Sequence, residues 1–170
     1  MKRILLIGSM GSGKTTLAIK LSQLLAIPVV HLDKLYWKDN WERVDRQEFD
    51  RSLKQELEKE KWIIDGNFIR TMPERLKYCD TVIFLDYGKL LCTYGVLKRV
   101  FFNYGKSRFD MGGNCPERID MKFIKDVWNF QRENHNKIMN YLGNIEGANI
   151  VILKNRKESN EYINGIEKNK

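Results

Sequence analysis

The sequence predicts an α/β fold: a five-stranded parallel sheet with helices over both faces. Three observations lead there. Five short apolar runs recur along the 170 residues with helical spacing between them. The first run passes through a glycine-rich turn directly into a helix. Three of the other runs end on an aspartate, Asp33, Asp65 and Asp86, so carboxylates recur at the ends of strands. In a parallel sheet with right-handed crossovers all strands end on one edge, which is where ligands bind.

The elements follow in order. Arg3–Ile7 is a continuous apolar run of the kind a doubly covered strand needs. After it, Leu17, Leu21, Leu24 and Leu25 recur at helical spacing, giving a helix from Gly13 to about Leu25. Pro28 leads into a second strand, Val29-Val30-His31-Leu32, ending in Asp33. Asp45, with Glu48 three residues on, has the capping-box pattern, and Phe49, Leu53 and Leu57 continue that helix. Trp62-Ile63-Ile64 is a third strand, closed by Asp65-Gly66. Thr71 to Glu74 repeats the capping pattern for a short helix. Thr81–Leu85 is a fourth strand ending in Asp86, and Ile150–Leu153 a fifth. A last helix carries Tyr162, Ile163 and Ile166 on one face.

Between strands four and five lie a helix near Lys89–Phe102, a Gly/Asn-rich basic segment up to Arg118, and a long helix from about Met121 to Leu142. An insertion over the ligand edge of an α/β sheet is a candidate lid, expected over about residues 100–120 of a single domain spanning 1–170.

The turn after the first strand carries the chemistry. Gly8-Ser9-Met10-Gly11-Ser12-Gly13-Lys14-Thr15 fits G-x-x-x-x-G-K-[ST], the loop that wraps backbone N–H groups around phosphates. The helix that follows aims unpaired N–H groups and a positive dipole end at the same place. The pattern assigns Lys14 to the β- and γ-phosphates, the Thr15 hydroxyl to Mg²⁺ and Thr16 to an α-phosphate oxygen. ATP and Mg²⁺ are therefore the expected ligands.

Other residues are candidates by position. Asp65, at a strand end, suits the carboxylate that holds a magnesium-bound water. Asp33 suits the group that orients or deprotonates an acceptor hydroxyl, with a turn or cap role as the alternative. His31, inside an apolar strand, reads as a core histidine, and Asp86 as either magnesium shell or loop. Tyr36, Trp37 and Trp41 flank a polar loop and could wall a substrate pocket. Arg70, Arg99, Arg108 and Arg118 are candidate phosphate clamps, with Arg99 and Arg108 best placed to close over a γ-phosphate.

Bulk properties narrow the class. Hydrophobic content of 42% and charged content of 31% are those of an ordinary globular protein. No apolar run reaches the length of a membrane span, and no leader pattern precedes the first strand, so a cytoplasmic location is expected. Three dispersed cysteines suit reduced thiols, and Cys115 lacks the neighbours a zinc-bearing lid would need. The formal net charge is +8, and from Gly88 to Phe109 there are five Lys/Arg and no acid. Such a stretch suits phosphates, nucleic acid or a plain solvated face.

The chain resembles adenylate-kinase-type P-loop kinases, and within them the small DNA topology modulation proteins. The resemblance rests on Gly8–Thr15, on His31-Leu32-Asp33-Lys34-Leu35-Tyr36-Trp37 with Trp41, on Trp62-Ile63-Ile64-Asp65-Gly66-Asn67, and on Arg108-Phe109-Asp110-Met111 through Cys115-Pro116-Glu117-Arg118. It implies a three-layer P-loop NTPase fold with sheet order 2-3-1-4-5, a substrate region between strands two and three, and an arginine-bearing lid. Adenylate kinases follow this Asp-Gly with Phe-Pro-Arg, whereas here Asn67-Phe68-Ile69-Arg70 moves the arginine. The expected activity is an ATP-dependent phosphotransferase acting on a small-molecule acceptor such as a nucleoside or nucleotide. The alternative is an ATP-binding regulator acting on DNA, although no base-reading module is present. A GTPase is disfavoured, since no Asn-Lys-x-Asp sequence occurs.

Overall fold

The computed structural model describes residues 1–168. Strands β1 (Arg3–Gly8), β2 (Val29–His31), β3 (Trp62–Asp65), β4 (Thr81–Leu85) and β5 (Asn149–Leu153) form one sheet. Its order is β2-β3-β1-β4-β5, and every pairing is parallel. The helices are α1 (Lys14–Leu25), α2 (Leu32–Tyr36), α3 (Arg46–Leu57), α4 (Met72–Leu76), α5 (Lys89–Asn103), α6 (Met121–Gly143) and α7 (Arg156–Lys168). This is the three-layer α/β arrangement expected of the sequence.

The period-two alternation of β1 divides the core between two layers. Ile4 and Leu6 face Leu17, Ala18 and Leu21 of α1, Cys92 and Val96 of α5, and Ile163 of α7. Leu5 and Ile7 face the other way, with Phe49, Leu53 and Leu57 of α3 and Phe130, Ile138 and Leu142 of α6. All four β1 residues are fully buried. Burial of each such side chain contributes about 1.5–3 kcal/mol, so the central strand is the most firmly held part of the floor under the loop.

Three local expectations need correction. Strand β2 stops at His31 rather than Leu32, because it is an edge strand whose last registered partner is Asp65. Leu32 turns inward, fully buried, and a Cβ on Gly66 would come within 2.8 Å of its side chain. Asp33 therefore lies in the first turn of α2 and not at a strand end.

The Thr71 hydroxyl makes no cap on α4. It donates to Phe68 O at 3.2 Å, and a short 3₁₀ turn, Ile69–Thr71, leads into the helix. Asp45, by contrast, accepts from Gln47 N at 2.8 Å and Glu48 N at 3.4 Å and caps α3. Within the candidate lid, segment 104–118 is closed by isolated β-bridges, Tyr104 with Glu117 and Ser107 with Pro116. The Asp120 side chain, accepting from Phe123 N at 3.0 Å, then starts α6. No helix among the described residues is long and apolar enough to cross a membrane.

Candidate functional site

The glycine-rich turn, Gly8–Thr15, is held from below and behind. Gly8 adopts φ +146° and Gly11 φ +77°, conformations that strain other residues. Close approach matters as much as torsion. A Cβ on Gly11 would lie 2.2 Å from Cys92 O, and one on Gly95 would lie 2.2 Å from Gly11 O, so loop and α5 touch backbone to backbone. Asn67 Oδ1 accepts from Gly8 N at 3.2 Å and ties the loop after β3 to the turn.

That second loop is itself fixed by Arg75. Its side chain is completely buried and donates to the carbonyls of Gly66, Asn67 and Phe68 at 2.8–2.9 Å. Burial pushes the Arg75 pKa well down.

Helix α1 begins without a side-chain cap, on Gly13 at φ +96°. The buried Ser12 hydroxyl has no hydrogen-bond partner, while Ser9 is buried, Met10 half-buried and Thr16 exposed. An uncapped helix start beside an orphaned hydroxyl fits a ligand rich in acceptor oxygens. Lys14 Nζ donates to Ser9 O at 3.0 Å; burial lowers its pKa, against the attraction of Asp65 and Asp33. The residues present thus fit a polyphosphate.

Thr15 Oγ1 is 2.8 Å from Asp65 Oδ2 and 3.1 Å from Asp110 Oδ2. Asp65 is buried, and His31 Nδ1 lies 3.2 Å from the same Oδ2 atom. His31 is a largely buried histidine with a partner: its ring faces Asp65 and meets Phe109 edge-on at 5.8 Å. Asp33 belongs to the same electrostatic cluster. Burial raises its pKa, Asp65 and Asp110 add to the rise, and Arg108 and Lys14 oppose it. A hydroxyl, two carboxylates and a third carboxyl in reach of a lysine suit a hard divalent cation held together with phosphate oxygens.

The lid lies on this floor. Gly112 and Gly113 press against the backbone of residues 34–39; a Cβ on Gly112 would be 2.1 Å from Trp37 O. Asn40 N donates to Asn114 O at 3.0 Å, Asn114 N to Asp39 Oδ1 at 2.6 Å, and Trp41 Nε1 to Pro116 O at 3.2 Å. Trp37 and Trp41 meet edge to face at 5.5 Å, and segment 104–118 meets the carbonyl of the first and the indole N–H of the second.

Inside the lid, Arg108 pairs with both oxygens of Asp110, and its Nη1 is 3.4 Å from Glu117 Oε1. Arg99 Nε lies 2.8 Å from the same Glu117 atom. Burial alone would raise the Asp110 pKa, but the Arg108 hydrogen bond and charge outweigh it and hold the carboxyl below the usual range. Burial, and then Arg108, lower the Arg99 pKa.

Of the sequence candidates, the structure brings together the turn residues, Asp33, Asp65, Arg108 and, through Glu117, Arg99. It does not bring Arg70, Arg118 or Asp86 with them. Arg70 is exposed and makes a bidentate pair with Asp50 of α3, at 2.9 and 2.5 Å, because the longer loop after Asp65 carries it past the turn. Arg118 is exposed above the Trp41 ring, at 5.7 Å from its centroid. Asp86 pairs with Lys154 beyond β5 and lies 3.3 Å from His135 Nε2, so it belongs to the α6–β5 side. Asn67, Asp110 and Glu117 stand in the motifs that carry the resemblance but received no role there, and Arg75 reads in sequence as an ordinary helical arginine.

The fold has solved relatives in shape. A shikimate kinase from Acinetobacter baumannii, solved in complex with shikimate, aligns with a TM-score of 0.58 at 16% identity, covering 98% of this chain and 90% of that one. A shikimate kinase from Bacteroides thetaiotaomicron aligns with a TM-score of 0.54 at 15% identity, over 98% and 96% of the two chains. A deoxyadenosine kinase from M. mycoides, with the products dCMP and a flexible dCDP bound, gives 0.50 at 16% identity, over 98% and 99%. At such identities the likeness is one of fold: the chain shares the architecture of these kinases. No family model matches the sequence, and no curated protein matches it.

Proposed function

We propose that this chain is an ATP-dependent phosphotransferase that moves the γ-phosphate to a hydroxyl of a small molecule of the nucleoside or nucleotide type. One observation carries the reading: Lys14, Thr15, Asp65 and Asp33 share one edge of the sheet, with Arg108 lowered over them from the lid.

In this reading Gly8 to Thr16 hold the triphosphate through backbone amides and hydroxyls, and Lys14 follows the β- and γ-phosphates as a mobile charge. Thr15 and Asp65 would hold a magnesium ion, whose chemistry when bound is to offset charge on phosphate oxygens. Asp33 orients the acceptor hydroxyl and takes its proton; its raised pKa brings it nearer to the value a general base needs. Arg99 and Arg108 supply positive charge to the transferring group once phosphate oxygens compete with Glu117 and Asp110 for them. Trp37 and Trp41 wall the acceptor side.

The basic stretch counts for the same reading. Arg99 and Arg108 are turned inward onto Glu117 and Asp110, which leaves Lys89, Lys98 and Lys106 as the outward cations. Three lysines make a weak footprint for duplex DNA, where affinity grows with each phosphate neutralised.

The test is a screen of the purified protein, with labelled ATP, against nucleosides, nucleotides and sugars. Transfer to one acceptor class is expected, and Lys14→Ala should lower its rate by about 10²–10³. Absence of transfer to any acceptor, with ATP binding unaffected by Lys14→Ala, would overturn the reading.

A further inference from the structure

Helix α5 buries one face and leaves another bare. Cys92, Val96 and Val100 are buried in the core layer of Ile4 and Leu6. Away from them, Leu90, Tyr94, Leu97 and Phe101 follow one another at spacings of four, three and four. At 3.6 residues per turn these four fall within about 60° of the helix circumference. Tyr104, just past the helix end, continues the row by three, and Phe102 widens it, its ring edge-on to Phe101 at 5.3 Å. All six side chains are 48–80% exposed.

A helix packed only on its own domain carries polar residues on the outward face. A narrow row at four-three-four spacing is instead the seam by which one helix seats its knobs among those of another. The amount of surface points the same way. With aromatic side chains of about 150–250 Å² each, the six residues leave on the order of 700 Å² open. That exceeds the few hundred Å² of contiguous apolar surface usual on a monomer, and approaches the roughly 800 Å² per partner of a stable interface.

We propose that α5 docks on α5 of a second copy of this chain, closing a two-fold dimer along the row Leu90 to Tyr104. Such a row is complementary to itself: with the axis near Leu97 and the helices antiparallel, Tyr94 of one copy comes opposite Phe101 of the other. The charges allow it. Lys89 Nζ lies 4.4 Å over the Trp128 ring of α6, and Arg99 Nε is 2.8 Å from Glu117, so both cations are engaged elsewhere. Lys98 stays in water at the flank, where salt screens like charges beyond about 10 Å. An anionic lipid surface would call for a broad apolar face edged with cations, and a 60° row with one free lysine beside it is a poorer match. The dimer stands apart from the nucleotide reading. It would brace from outside the helix whose Gly95 packs on Gly11.

The experiment is sedimentation equilibrium on the full chain over a range of concentrations. Wild type should reach the mass of two 20.2 kDa protomers. The double variant Leu97→Glu, Phe101→Glu should raise the dimer dissociation constant by about a hundredfold or more, with circular dichroism unchanged. Met139→Glu, at an exposed apolar position of α6 outside the row, should leave the dimer as it is. A wild type that stays monomeric to about 0.1 mM overturns the proposal, and pelleting of that monomer with phosphatidylserine vesicles would give the face to a membrane instead. A dimer that survives the double variant, or that Met139→Glu also dissociates, overturns the assignment to α5.

A second measurement needs no variant and decides the matter even if the double variant fails to fold. In hydroxyl-radical footprinting of wild type, Tyr94, Phe101 and Tyr104 should lose reactivity as the concentration passes through the dimerisation range, while Met139 keeps its own. Unchanged reactivity of the three aromatics in a protein that has dimerised places the interface elsewhere and overturns the proposal.

Discussion

The phosphate loop and the lid meet at one site but are held by different forces. The loop rests on fully buried strands, and backbone packs on backbone at Gly11 and Gly95. The lid is held by ion pairs and polar contacts: Arg108 with Asp110 and Glu117, Asn114 with Asp39, Trp41 with Pro116. Phe109 stays 66% exposed, although it touches His31, and the apolar share of the lid's seating falls to the buried Met111 and Cys115. Packed apolar interfaces resist partial opening, whereas polar contacts exchange readily with water or phosphate.

The contrast can be broken at graded cost. The largest effect belongs to the floor. Lys14→Ala should slow phosphotransfer by about 10²–10³, equivalent to about 3–4 kcal/mol in the transition state, with the fold intact by circular dichroism. Gly95→Ala should cost about 3 kcal/mol of stability in urea unfolding, since its Cβ would stand 2.2 Å from Gly11 O and neither backbone can yield cheaply. A loss under 0.5 kcal/mol, by order of magnitude, would show the two regions less distinct than drawn.

The lid is cheaper to disturb. Trp41→Phe removes the hydrogen bond to Pro116 O and should cost about 1 kcal/mol of stability. Faster protease cleavage within residues 104–118 should accompany it. The exposed Arg70–Asp50 pair lies outside both regions. Arg70→Ala should cost about 0.5 kcal/mol and leave phosphotransfer unchanged if Arg70 stays on Asp50 during turnover.

Acid separates the two regions in sign. The Asp33 pKa is raised, so between the ordinary value of 3.8 and the folded value the native state binds the extra proton. Stability from that group is present at low pH and falls as pH rises through this window. Asp33→Asn should therefore raise the melting temperature at neutral pH and remove that decline. The Asp110 pKa is lowered, so its contribution is present above 3.8 and fades as pH falls through the folded value. Asp110→Asn should lower the melting temperature at neutral pH and have no effect in strong acid. In activity, the raised Asp33 pKa should move the acid limb of the rate profile above the ordinary carboxylate range.

Much of the floor was legible from sequence because its determinants are local. The glycines, Lys14 and Thr15 form one motif, and the apolar runs of β1, β3 and β4 are continuous. Asp33 was legible as a site residue but not as a helical one, because β2 ends through the packing of Leu32 under Gly66, a contact between separate segments. Arg75 reads in sequence as one more helical arginine. Its burial depends on three carbonyls that converge only after the loop following β3 is folded. Asp110 and Glu117 depend on how a lid with few apolar anchors lies on the sheet, and nothing in their own neighbourhood specifies that.

The contact between Gly11 and Gly95 has one more consequence. It rivets the middle of α5 to the turn, so the near end of the lid has a fixed anchorage. Any swing of segment 104–118 must turn about points further out: Gly105, already at φ +74°, on one strand and the stretch before Asp120 on the other. A lid that opens here must do so as a short flap with two pivots, carrying Asp110 and Arg108 at its tip.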